Sequence, residues 1–120
     1  MGTTILVVDD AAFMRMMLRD ILEGEGYEVH EAESAGRATE MYGEVSPDLV
    51  TMDITMPEVS GVDALRAIRQ LDPSARVLMV SAMGQESMIA EALEAGAMEF
   101  VVKPFQPAKV LELVKKCLNV

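Results

Sequence analysis

Apolar residues along the chain arrive in short bursts of two alternating kinds. Ile5-Leu6-Val7-Val8 is an unbroken branched run closed by Asp9-Asp10, the pattern of a strand buried on both faces. Met14, Met17, Leu18, Ile21 and Leu22 then recur at spacings of three and four, which predicts a helix with an inward stripe, stopped by Gly24 and Gly26. Tyr27 to Ala32 alternates polar and apolar, as expected of a strand near a sheet edge with one wetter side. Ser34 is placed to cap a second helix from Ala35 to about Glu44, closed by Ser46-Pro47.

The same rhythm continues to the end of the chain. Leu49-Val50-Thr51-Met52 is a third strand leading into Asp53, and Pro57 turns the chain into a loop. Ser60-Gly61-Val62-Asp63 opens a helix with Ala64, Leu65, Ile68 and Leu71 on its stripe, ended by Asp72-Pro73. Arg76 to Val80 is a fourth buried strand ending at Ser81-Ala82, and Gln85 to Ala95 a helix with Ile89, Ala92 and Leu93 inward and Gly96 as its stop. Phe100-Val101-Val102 is the fifth strand, running into Lys103-Pro104-Phe105, and Pro107 starts a last helix to about Leu118. Five strand-helix alternations predict a doubly wound α/β fold: a mostly parallel sheet with right-handed crossovers and helices on both faces. In that class ligands sit outside the carboxyl ends of the strands.

Composition narrows the possibilities. The 120 residues suffice for one domain with a core of its own, and 51% are apolar, yet no run approaches the ~20 residues of a membrane span. Nothing at the N-terminus has the form of a secretory signal, so a cytoplasmic location is expected. Ten basic against 20 acidic residues give a net charge of −10, which disfavours nucleic acid and anionic lipid as partners. The single cysteine, Cys117, excludes an internal disulfide and falls on the stripe of the last helix, and the 11 methionines are taken first as core filler.

The strand ends carry the chemistry. Asp9 and Asp10 follow the first strand, Asp53 closes the third, Ser81 follows the fourth and Lys103 the fifth, so all converge on one edge. Crowded carboxylates raise one another's pKa unless a counter-charge is present, and an oxygen-rich set suits one hard Mg²⁺ ion. With Lys103 and Ser81 to meet an anion, Asp53 is placed to act as the nucleophile of phosphoryl transfer.

Val8-Asp9-Asp10, the Asp53 of Met52-Asp53-Ile54-Thr55-Met56-Pro57 with Gly61 following, Val80-Ser81-Ala82 and Lys103-Pro104-Phe105 together resemble the receiver domain of two-component response regulators, along residues 1–120 as one domain. The likeness is greatest to the stand-alone chemotaxis members. It implies a flavodoxin-like sheet of strand order 2-1-3-4-5 with five helices, and Asp53 as the acceptor of a phosphoryl group from a histidine kinase or phosphotransfer domain. It further implies that Asp10, Asp53 and the Thr55 carbonyl ligate Mg²⁺ with Asp9 acting mainly through water. Ser81 would be the switch hydroxyl, Lys103 the phosphoryl contact, and Lys103-Pro104 a cis peptide.

The resemblance also assigns surfaces. Phe100 matches the switch aromatic, and Met88, Phe100 and Lys109 mark the output face, toward a flagellar motor switch or another partner. Phe13 and Met16 lie off the inward stripe of the first helix, where a kinase domain would dock or where they are merely exposed. A monomeric binding switch is expected rather than an enzyme. The alternative is a phosphorelay shuttle or an excised receiver of a multidomain regulator, with which a chain ending at Val120 directly after the last helix is compatible. A phosphatase of the haloacid dehalogenase type is disfavoured, because its second aspartate would stand where Thr55 is.

Overall fold

The computed structural model describes residues 2–119; Met1 and the terminal Val120 lie outside them. Five strands, β1 (Thr4–Val8), β2 (Glu28–Ala32), β3 (Leu49–Asp53), β4 (Val77–Ser81) and β5 (Glu99–Val102), alternate with helices α1 (Ala12–Gly24), α2 (Ala35–Val45), α3 (Gly61–Leu71), α4 (Glu86–Glu94) and α5 (Pro107–Leu118). All strands are parallel, in the order β2-β1-β3-β4-β5. The flavodoxin-like arrangement implied by the motifs is therefore present, with β2 at an edge as its alternation predicts.

The pleat sorts the core into two layers. Ile5, Val7, Leu49, Leu78, Val80 and Val101 pack against Leu18 and Leu22 of α1 and Val110, Leu113, Val114 and Cys117 of α5. Leu6, Val8, Val50, Met52, Val77 and Met79 face α2, α3 and α4 through Ala38, Tyr42, Leu65, Ile68, Ile89 and Ala92. β3 and β4 are buried at every position, which is why their sequences read as continuous apolar runs.

Local signals fix the helix starts. The Ser34 hydroxyl accepts from the Arg37 N–H and the Ser60 hydroxyl from the Asp63 N–H, each satisfying a backbone donor that the helix leaves free. Pro107 opens α5. Some boundaries and stripes differ from expectation. Arg76 and Tyr27 lie just outside their strands, because ladder pairing begins at Val77 and Glu28. Leu71 and Leu93, placed inward by periodicity, are exposed; each sits in the last turn of its helix.

Candidate phosphoacceptor site

The parallel sheet places the carboxyl ends of β1, β3, β4 and β5 side by side. The alternation that buries Ile5 and Val7 on the α1/α5 face also puts Asp9 there, and the same parity follows for Asp53 after Leu49 and for Lys103 after Val101. Ser81 has the opposite parity, following Val77 and Met79 toward α3 and α4.

Asp9, Asp53 and Ser81 are all buried, whereas Asp10 and Thr55 are exposed. Lys103 Nζ lies 3.2 Å from Asp53 Oδ1 and 3.5 Å from Asp9 Oδ2. The other Asp9 oxygen accepts from the Ala11 N–H at 2.8 Å, an Asx turn that substitutes for a side-chain cap on α1. Arg15 anchors the same turn: its Nη1 donates to the Asp9 carbonyl at 2.7 Å and its Nε to Glu31 of β2 at 2.9 Å. On β3, Gly61 comes so close beneath Asp53 that a Cβ there would lie 2.0 Å from the Asp53 carbonyl oxygen, while its N–H donates to Ile54 at 2.7 Å. Glycine at 61 is a requirement of that approach.

The electrostatics follow from burial. Asp53 is pushed up to about 6, first by desolvation and then by the Asp9 charge, with Lys103 offsetting only part of the rise and Asp10 adding a little. Burial would lower the Lys103 ammonium, but the carboxylates of Asp53 and Asp9 outweigh it and its pKa is raised. One ammonium is too little charge for three carboxylates. Asp9, Asp10 and Asp53 can each offer an oxygen, all within 4.8 Å of one another, and an all-oxygen donor set of this size suits Mg²⁺ better than a softer metal. The residues fit the ion that the motifs imply.

The sheet thus brings together Asp9, Asp10, Asp53, Ser81 and Lys103, and places Thr55 just past Asp53. The Lys103-Pro104 bond is cis. Phe13 and Met16 are exposed on α1 at 64% and 51%. Phe100 and Met88 are half-buried, packed on the α2-α3-α4 layer, and Lys109 is exposed. Two residues next to the site escaped the sequence reading. Arg15 reads only as a polar position on a helix, and Gln85 only as the first residue of one, because neither has a local pattern that reveals a partner distant along the chain.

A buried aspartate among acidic neighbours and a lysine, at the carboxyl edge of a 2-1-3-4-5 sheet, defines a phosphoacceptor receiver. Residues 5–115 match the model of the response regulator receiver domain, and the chain belongs to that family. It is a signalling switch of a two-component system, engaging a histidine kinase and a downstream effector. Among individual proteins it is 59% identical over 120 residues to the chemotaxis protein CheY of Bacillus subtilis (strain 168), a match covering 99% of this chain and 100% of the relative. It is 56% identical over 117 residues to the chemotaxis protein CheY of Thermotoga maritima, covering 97% and 98%. A CheY-like response regulator receiver domain protein from Methanospirillum hungatei JF-1 has a crystal structure that superposes with a TM-score of 0.94 at 31% identity, covering 99% of this chain and 95% of that one.

Proposed function

We propose that Asp53 accepts a phosphoryl group from a phosphohistidine on a kinase or phosphotransfer domain, and that the resulting state is read by a chemotaxis partner of the flagellar motor switch type. The observation that carries this is the pairing of one ammonium with two buried carboxylates, Lys103 to Asp53 and Asp9, beside the exposed Asp10. A carboxylate oxygen of Asp53 forms the new O–P bond as the P–N bond breaks, and the electron pair leaves with the imidazole nitrogen. Lys103 screens the phosphoryl oxygens; Asp10, Asp53 and the Thr55 carbonyl would hold Mg²⁺, with Asp9 acting mainly through water. When bound, the ion neutralises charge on the transferring group.

Ser81 connects the site to the output face. Its Oγ is fully buried and lacks a partner among the described residues, so a phosphoryl oxygen on Asp53 offers it an acceptor. Ser81 pairs with Val102 and shares a sheet face with Phe100, its diagonal neighbour on β5. Phe100 borders one groove with Phe105 and Lys109 and another with Gln85 and Ile89. A shift of Ser81 is therefore felt where α4, β5 and α5 meet the partner, around Phe100, Met88 and Lys109. Phe13 and Met16 form the docking pad for the kinase side, and the protein acts as a monomer in the cytoplasm. The similarity to chemotaxis proteins at 59% and 56% identity favours motor control over a phosphorelay shuttle.

Incubation with a small phosphodonor and Mg²⁺, followed by intact mass, tests the acceptor. The parent gains one phosphoryl mass and Asp53→Ala none; equal labelling of the variant refutes the assignment. Phosphorylation strengthens binding to a motor-switch peptide more than to a phosphotransfer domain, and the reverse order refutes the chemotaxis role.

A further inference from the structure

Gln85 stands at the N-cap of α4, but its side chain does not cap that helix. It reaches across the mouth of the site. Its Oε1 accepts from the Ala82 N–H at 2.7 Å, and its Nε2 donates to the Thr55 hydroxyl. The orientation is fixed chemically, since a backbone N–H can only donate and must face the carboxamide oxygen. Thr55 lies two residues after Asp53, and Ala82 directly follows Ser81. One carboxamide thus fastens together the β3–α3 and β4–α4 loops, which flank the acceptor.

One of the groups it holds, the Ala82 N–H, lies beside the hydroxyl that a modified Asp53 would engage. The Ser81 hydroxyl is buried and has no partner among the described residues, and the Ala82 N–H is the next donor on the same backbone. Donors at this strand end are what an added anion requires. In the unmodified protein, the Ala82 N–H is occupied by Gln85. The loop carrying Ser81 is at the same time tethered to the loop carrying Thr55.

We propose that Gln85 is a positioning residue, a latch that holds the two loops in the resting arrangement and must release for Asp53 to be phosphorylated. The proposal rests on the reading of Asp53 as phosphoacceptor. The latch stabilises only the resting arrangement, so it governs how often the competent one is populated.

Gln85→Met keeps the length of the side chain and removes both hydrogen bonds. With a low concentration of phosphoramidate and Mg²⁺, labelling of Asp53 accelerates roughly three- to tenfold, the factor that corresponds to a net hydrogen bond of about 0.7 to 1.4 kcal/mol. In a Thr55→Val background, which removes the hydroxyl and leaves the carbonyl, the same substitution has a smaller effect, so the two are non-additive. In the unphosphorylated protein, the Ala82 amide is protected from hydrogen exchange in the parent and loses that protection in Gln85→Met. A parent that is labelled while Gln85→Met labels at the same rate, or an Ala82 amide indifferent to the substitution, overturns the latch alone. A parent that takes up no phosphate overturns the Asp53 reading, and the coupling with it.

Discussion

Asp53 is destabilising to the metal-free fold, and replacing it with asparagine should make that protein more stable. Burial and the Asp9 charge raise its pKa from 3.8 to about 6, which at 1.36 kcal/mol per pH unit places about 3 kcal/mol against the ionised form in the folded state. The attraction to Lys103 is already included in that value. The sign follows from proton binding: between pH 3.8 and about 6 the folded protein holds the proton and the unfolded chain does not, so stability falls as pH rises through this window. Above it the full penalty applies, and below it none. Asp53→Asn carries no such charge, so its advantage is near zero at pH 4 and grows to about 3 kcal/mol at pH 8, on the order of 10 °C in Tm for a domain of this size. Thermal and urea unfolding of both proteins in EDTA across that range measures the difference, in which the titration of groups that do not interact with Asp53 cancels. Mg²⁺ should then raise the Tm of the parent more than that of the variant, because the cation binds the folded state through the missing charge. A variant less stable than the parent at pH 8 in EDTA, or a difference that ignores pH, refutes the account.

Three further outcomes are expected. Burial pushes the Cys117 thiol up to about 11, so at pH 8 a thiol reagent should leave the native protein unmodified and label one cysteine on unfolding; rapid native labelling would contradict this. Gly61→Ala forces a Cβ into the Asp53 carbonyl and should cost about 2 to 4 kcal/mol in urea unfolding while slowing phosphorylation, because the backbone under Asp53 must shift. Thr51 is buried in β3, and its hydroxyl has no partner among the described residues, so Thr51→Val should raise stability by about 1 kcal/mol, read from the urea midpoint at unchanged slope.

Much of the fold was legible because its signals are local. The runs at Ile5 to Val8 and Leu49 to Met52, the caps at Ser34 and Ser60 and the opening of α5 at Pro107 all lie where the residue types place them. Misplacements fall where local and global preferences part: Leu71 and Leu93 follow helical periodicity but lie exposed in the last turns of their helices. The acidic residues of the site were visible through their position after strands. Arg15 and Gln85 were not, since each is defined by a partner distant along the chain, Glu31 of β2 for one and Thr55 of the β3–α3 loop for the other.

The sequence by itself determined the class of fold, the edge at which polar groups gather and the identity of those groups. Strand periodicity and the rule that parallel strands share a carboxyl end depend only on the covalent chain and its handedness. Only the tertiary structure decided which oxygens meet which cation. Lys103 is 94 residues from Asp9 and 50 from Asp53, yet touches both, because strand register and side-chain parity convert long separations along the chain into contacts of a few ångströms. The charge on Asp53 is set at the same level, since its desolvation exists only once the layers of helices have closed over the sheet.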